Sequence, residues 1–365
     1  MSSLRQIVQH EIAAAGVIPF SRFMELALYC PSLGYYERAD TQIGKGGDFY
    51  TSVSVGSLFG ELLAFQFDEW MEGRACLVEA GAHDGRLAQD ILRWFRIHRP
   101  EAYEQVQYWV VEPSPVRKAR QRQTLEEFAG KVRWYESLAA LPEVTGIIFS
   151  NELLDAFPVS RYVWSAGETT WFEAGVGIEG EQFVWRRCPA PAGVNQRTFS
   201  PAEFFTDTGL DTGSLLDVLP DGHIVDNSHA AAGWWREAAR KLERGKLLTL
   251  DYGLTAEQLF APERRSGTLR AYHKHHQSAD LLANIGEQDL TAHVNFTQLK
   301  RAGQSEGLQT DALLSQDAFL IRIAQRILAA PTTFPDWTPE RIRRFQTLTH
   351  PNHLGHVFQV LVQVR

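Results

Sequence analysis

At 365 residues, 44% of them hydrophobic, the chain exceeds one small domain and can bury a sizeable core. Its formal net charge of −8 is spread over interspersed acids and bases, and the basic stretches, such as the one around Arg341, are short and amphipathic, so a nucleic-acid partner is disfavoured. Cys30, Cys76 and Cys188 stand far apart with no CxxC pair, which argues against a disulfide framework or a structural zinc site and fits a reducing compartment.

The first residues lack a charged-then-apolar leader, and no apolar run approaches the ~20 residues of a membrane helix. The expectation is a cytoplasmic protein with no membrane insertion. Apolar residues at helical spacing predict a helix over 4–15 stopped by Gly16, then a second over 19–31 with Ser21 as N-cap and Pro31 as terminator. A Gly-rich stretch over 34–52 reads as loop, and a helix over 57–71 follows. From there strands over 75–80, 106–112, 131–137 and 145–152 alternate with helices over 84–98 and 115–129. Continuous apolar strands separated by helices imply a parallel sheet covered on both faces, whose ligands bind at the C-terminal strand ends. Residues 160–187 alternate around Gly-containing turns, the pattern of an antiparallel meander. A helix over 228–245 and a strand over 246–253 resume the α/β rhythm, and the last ten residues read as a strand. The expected organisation is N-terminal helices and a Gly-rich lid over 1–57, the first part of a Rossmann-like sheet over 58–159, inserted antiparallel β elements over 160–222, and the rest of the sheet with an acceptor-side insertion over 223–365.

The stretch "EAGAHDGRLAQDILR" holds the first candidate site. A strand ends in Glu79, Gly81 and Gly85 permit a tight turn, and a helix begins near Asp84. A pyrophosphate ligand would want GxGxxG at this helix start, and that spacing is absent, which speaks against a nicotinamide-dependent oxidoreductase. An acid ahead of the loop suits an ammonium-bearing ligand better than a phosphate. The next strand ends at Glu112, where a carboxylate can accept two hydrogen bonds from ribose hydroxyls. The third ends in Glu136 and Ser137, placed to meet an adenine edge. Together these strand ends describe S-adenosylmethionine better than NAD; a bare strand-to-helix turn, with Glu112 capping the helix that follows, is the alternative.

Asn151, Glu152 and Asp155 emerge from the fourth strand at the same edge. In methyl transfer the protein positions, desolvates and accepts a proton. Glu152 and Asp155 can match the planar donor fork of a guanidinium, or Asp155 can cap a helix and Glu152 be solvated. Residues 44–52, with Asp48, Thr51 and Ser52, can fold over a ligand as a lid or form a surface loop. Histidines gather at 273–276 and 350–356 with no carboxylate at ligand spacing, so no metal is expected.

The segments "ALYCPSLGYY", "GGDFYTS", "LVEAGAHDGRLAQDILR", "VVEPSPVRKARQ", "SNELLDAFPVSR", "LLTLDYG", "GTLRAYHKH" and "DLTAHVNFTQL" resemble, in order, the MidA family of class I S-adenosylmethionine-dependent methyltransferases. The resemblance implies a Rossmann-like sheet with an antiparallel last strand and a helical cap, and S-adenosylmethionine as cofactor. It implies that Glu79, Gly81 and Gly85 line the methionine end, that Glu112 holds the ribose, and that Asn151 and Glu152 sit beside the transferred methyl. Asp48, Thr51 and Ser52 then belong to the lid, and Asp251, Tyr252 and His293 to the acceptor pocket. The family includes the mitochondrial protein-arginine methyltransferase that assists respiratory complex I assembly. A protein substrate is therefore implied, with arginine as the acceptor and a respiratory-complex subunit as partner; a small-molecule acceptor, or an assembly protein without catalysis, stays open. The last alternative stems from the loop itself. Ala82, His83 and Asp84 stand where the family usually has proline, glycine and arginine, and His83 adds bulk where backbone should approach the methionine portion.

Overall fold

The computed structural model describes residues 3–38, 51–71, 73, 75–189, 216–273, 276–329 and 334–365. The chain divides into two compact units, each built from three separate segments. One comprises Met1–Ile43, Asp155–Ala232 and Gly253–Leu299; the other comprises Gly44–Leu154, Gly233–Tyr252 and Lys300–Arg365.

The second unit is organised on one sheet, whose strands are numbered here in chain order: β1 Cys76–Ala80, β2 Gln107–Val111, β3 Val132–Tyr135, β4 Val144–Asn151, β5 Leu242–Leu254, β6 Gln309–Ser315 and β7 Phe358–Val364. They lie side by side as β6-β7-β5-β4-β1-β2-β3. β3, β2, β1, β4 and β5 pair in parallel, and β7 runs antiparallel to both of its neighbours. This is the expected mostly parallel sheet with an antiparallel last strand. The central strands read as unbroken apolar runs because both of their faces are covered. Phe59, Leu62 and Phe67 of the helix Leu58–Trp70, Ile91 and Phe95 of Arg86–His98, and Leu320 and Ile323 of Gln316–Ala329 join Val110, Phe149 and Val360 of the sheet in one core.

Strand order reverses at β1, which is flanked by β2 on one side and β4 on the other. The register sets what emerges there. Ala80 lies opposite both Val111 and Ser150, and Leu250 opposite Asn151. Gly81, Glu112, Asn151 and Asp251 therefore leave the sheet along one edge, the edge where doubly wound sheets bind their ligands.

In the first unit, Ser160–Ser165, Thr170–Glu179 and Gln182–Arg187 form the expected meander. Two strands join it: Ile18–Pro19 pairs with Thr170–Glu179, and Ile224–Asn227 pairs with Ser160–Ser165. The sequence reading left Ile224–Asn227 with the returning α/β segment; its hydrogen bonds put it in the meander sheet. Arg270–His273 pairs with His276–Ser278 and with Asp289–Thr291, both antiparallel, in a small sheet that the sequence pattern did not announce. The helices Leu4–Ala15 and Phe20–Tyr29 bury Val8, Phe20, Phe23 and Leu28 against Val176 and Leu290. Ser21 is not the N-cap of the second helix. Pro19, paired as strand with Gly175, occupies that position without a side-chain bond, and Ser21 falls inside the first turn. Proline's fixed φ starts the helix earlier than the hydroxyl signal implied.

Candidate active site

Everything from β1 to the turn after β4 belongs to the second unit, so the candidate cofactor residues can be taken together. After β1 the chain turns through Gly81 and Gly85, at φ +71° and +86°. A Cβ on Gly81 would stand 2.7 Å from Leu153 Cδ1, so both backbone conformation and space favour glycine there. His83 also adopts a left-handed φ, +47°. Its side chain is 38% exposed, with Nδ1 3.6 Å from Asp84 Oδ1, so much of the imidazole stands in solvent. Asp84 in turn starts the helix Arg86–His98: its Oδ1 accepts from the Arg86 amide at 3.2 Å and its Oδ2 pairs with Arg86 Nε at 3.0 Å.

Two acids at the strand ends are almost wholly buried. Glu79 is 2% exposed and accepts a hydrogen bond from the Tyr108 hydroxyl at 2.6 Å. Burial pushes its pKa up to about 7, against the lowering effect of that bond. Glu112 is 1% exposed. Its Oε1 accepts from the Ser114 amide at 2.9 Å and from Arg117 Nε at 3.0 Å, and its Oε2 accepts from Gln121 Nε2 at 2.9 Å. A carboxylate offers about four acceptor sites. One therefore stays open on Oε2, and a second bond to a ribose diol requires Arg117 or Gln121 to let go. Ser114, whose hydroxyl accepts from the Arg117 amide at 3.3 Å, is the N-cap of the helix Pro115–Thr124. Glu112 supports that cap from behind.

The turn after β4 carries the strained residue of the site. Glu152 sits at φ +50°, a conformation that costs a non-glycine residue about 1 kcal/mol or more. Its Oε1 accepts from the Ser52 amide and from Asn151 Nδ2, each at 3.1 Å. Burial raises its pKa to about 8; the two hydrogen bonds oppose the rise, and the charge of Asp251 adds to it. Asp251, fully buried at the end of β5, holds the turn: its Oδ2 accepts from the amides of Leu153 at 3.1 Å and Leu154 at 2.7 Å, and its Oδ1 from the Tyr252 amide at 2.9 Å. Among the described residues Asn151 Oδ1 is buried without a hydrogen-bond partner, an acceptor waiting for a donor beside Glu152.

This donor and acceptor set fits S-adenosylmethionine. A turn with glycine at positive φ where a Cβ at Gly81 would meet Leu153, an acid with an open lone pair at the end of β2, and an orphaned acceptor at the end of β4 lie on one sheet edge. The model of the family described as "Putative S-adenosyl-L-methionine-dependent methyltransferase" matches residues 60–314. The chain belongs to the MidA family.

Like other members of that family it takes S-adenosylmethionine as its cofactor. A protein from Burkholderia thailandensis, crystallised with S-adenosyl-homocysteine bound, superimposes with a TM-score of 0.84 at 29% identity, over 99% of this chain and 92% of that one. A native crystal structure from the same organism gives 0.79 at 29% identity, over 99% and 91%. The mitochondrial protein arginine methyltransferase NDUFAF7 of Rattus norvegicus is 26% identical over 98% of this chain and 84% of its own length. The Drosophila melanogaster homolog is 27% identical over 98% and 84%.

Of the remaining candidates of this MidA chain, Ser52 reaches Glu152 through its amide. Thr51 closes a local turn, its hydroxyl accepting from the Ser54 amide at 3.1 Å. Ser52 is buried, with its hydroxyl bonded to Gln316 Oε1 at 3.1 Å. Glu136 and Ser137 are exposed; Glu136 lies 3.9 Å from Lys118 Nζ, and the Ser137 hydroxyl accepts from the Ala140 amide. Asp155 belongs to the first unit, buried within electrostatic reach of Tyr36, while the recorded bonds of Glu152 run to Asn151 and Ser52. Asp48 lies outside the described residues. Tyr252 packs its ring 4.0 Å from Phe358. His293, in the first unit, is driven down to about pKa 4 by burial and by Arg264 and Arg270. His273 bonds the Glu287 carbonyl and His356 meets Asp317, and no metal-holding group of three occurs among the described residues. Sequence reasoning missed Arg117 and Gln121 as partners of Glu112; the signal was their spacing, five and nine residues on, along one helix face.

Proposed function

We propose that the protein methylates an arginine side chain of another protein, with Glu152 as the group that orients the acceptor and takes its proton. The observation that carries this reading is Glu152 itself: a carboxyl forced into a left-handed turn at the methyl-transfer edge, fixed by Asn151 and the Ser52 amide. The cofactor supplies an electrophilic methyl. The acceptor nitrogen forms its new bond to carbon as the sulfur–carbon bond breaks, and the proton it sheds passes to the Glu152 carboxylate. A pKa near 8 suits a group that must gain and lose a proton near neutrality. A guanidinium approaching it stabilises the ionised form, so the cationic substrate creates the base that it needs. The similarity to protein arginine methyltransferases over nearly the whole chain supports arginine over other acceptors, and the resemblance set out above extends to a respiratory-complex subunit as the carrier of that arginine.

The test is to incubate the protein with methyl-labelled S-adenosylmethionine and the proteome of its own cell, and to locate label by mass spectrometry. Label on arginine that disappears with Glu152→Gln supports the reading. Label on other residues, or on small molecules alone, overturns the acceptor assignment, and undiminished transfer by Glu152→Gln overturns the role of the carboxyl.

A further inference from the structure

Gln121 touches both ends of the cofactor edge at once. It is fully buried on the helix Pro115–Thr124. Its amide nitrogen donates to the His83 carbonyl at 3.1 Å and to Glu112 Oε2 at 2.9 Å, while its amide oxygen accepts from Trp134 Nε1 at 3.0 Å. The two acceptors fix which way the amide faces: the nitrogen must point at the loop and the acid, and the oxygen at the indole. One side chain thus clamps the left-handed peptide of the glycine loop, the acid at the end of β2, and β3 through Trp134. A Cβ at Gly85 would come within 3.4 Å of Gln121 Cα, so the helix also sets how closely the loop can pack.

We propose that Gln121 is a positioning residue for the cofactor, coupling the methionine-side loop to the ribose-side acid so that the two contacts form together. It fills one of the two acceptor sites on Glu112 Oε2 and leaves the other for a ribose hydroxyl, while Arg117 and the Ser114 amide share Oε1. Any slackening of the His83 carbonyl then follows occupation of Glu112 through the same nitrogen. The inference rests on the cofactor assignment and not on the identity of the methyl acceptor.

The experiment is calorimetric titration of the full chain with S-adenosylhomocysteine, for the parent, Gln121→Leu, Glu112→Gln and the double variant. Gln121→Leu keeps the apolar volume and deletes the amide; the expected affinity loss is about 10–100-fold, or about 1.4–2.8 kcal/mol. In the double variant the loss should fall short of the product of the two single ones by tenfold or so, the signature of coupling. Gln121→Glu adds a readout that packing alone cannot move. The new carboxyl would face Glu112 and the His83 carbonyl, with Arg117 bound to the same acid and the His83 imidazole on the contacted residue, so two acids share a space that one proton can relieve. Its affinity relative to the parent should recover as pH falls from about 8 to about 6. Independent, multiplying losses, or a Gln121→Glu ratio flat with pH, would overturn the proposal. A parent that binds no S-adenosylhomocysteine overturns it together with the cofactor assignment. Variants that melt before titration are replaced by Gln121→Met, for which the same loss and coupling are expected.

Discussion

The sharpest consequence of the site is that removing the charge of Glu152 should stabilise the protein while destroying its activity. In the folded chain the pKa of this carboxyl is about 8 against an ordinary 4.5. The folded state therefore holds the proton more tightly than the unfolded one. The cost is absent below about pH 4.5, grows as the pH rises through the window up to about 8, and levels off above it. At about 1.36 kcal/mol per decade of proton affinity, the cost reaches about 3 kcal/mol at pH 7 and about 5 kcal/mol on the alkaline plateau. Glu152 is only partly buried by surface area, so water will screen some of this, and about 1–3 kcal/mol is the expected range near pH 8. Glutamine reproduces the protonated form and can still accept from Ser52 and Asn151. Urea unfolding of parent and Glu152→Gln, followed by circular dichroism at several pH values from about 4.5 to 8.5, reads the difference directly. The two proteins should be equally stable at the acid end and diverge in favour of the variant as the pH rises. Methyl transfer should fall by about 100-fold or more. A stability difference that does not change with pH, or one that favours the parent in alkali, would refute the argument: the two hydrogen bonds would then outweigh burial.

Other substitutions read other parts of the edge. Glu112→Gln turns an amide toward the amide of Gln121, donor against donor, and takes the charge from Arg117; affinity for S-adenosylhomocysteine should fall by about 10–100-fold in calorimetry. His83→Gly removes a ring that is 38% exposed and held, among the described residues, only by its contact with Asp84, so affinity should stay within about threefold of the parent; a gain of tenfold would mean that the imidazole crowds the cofactor after all. Asp251→Asn must aim its amide group at a backbone N–H whichever way it turns, because both carboxylate oxygens accept from the main chain. The expected loss is about 1–3 kcal/mol of stability in denaturant unfolding, with methyl transfer falling further than stability, since the turn it holds carries Glu152.

The sheet was legible because its signal is local. Strands such as Cys76–Ala80 and Gln107–Val111 are buried on both faces and announce themselves as short apolar runs between helices. The same holds for the strand-end acids, which follow directly from where each run stops. What the sequence concealed depends on partners far along the chain. Glu112 is legible as a strand-end acid, but not that it is 1% exposed and accepts three hydrogen bonds, two of them from side chains of the next helix. Asp251 anchors the 153–154 amides, a role that no local pattern encodes. The strand Gln309–Ser315 has little β-branched character, and only pairing with Phe358–Val364 makes it a strand. His83 shows what residue type alone does not give: histidine tolerates a left-handed φ better than most side chains, and here it takes φ +47° with its side chain 38% exposed beside Asp84.

Glu79, Glu112, Glu152 and Asp251 lie on one sheet edge within the same unit, and Arg117 pairs with Glu112 there. Burial of that much potential negative charge is unfavourable by itself, and the fold answers with neutral donors: a tyrosine, a glutamine, an asparagine and backbone amides. Two of the four, Glu79 and Glu152, are further relieved by holding their protons more tightly than usual. Such an edge is poorly matched to phosphates and well matched to a ligand carrying an ammonium and a sulfonium, whose positive charges lower the cost of ionising those same acids. After methyl transfer the sulfonium becomes a neutral thioether, and the edge loses part of what held the ligand there. S-adenosylmethionine should therefore bind more tightly than S-adenosylhomocysteine in calorimetry, and equal affinities would show that the edge does not sense the sulfonium charge.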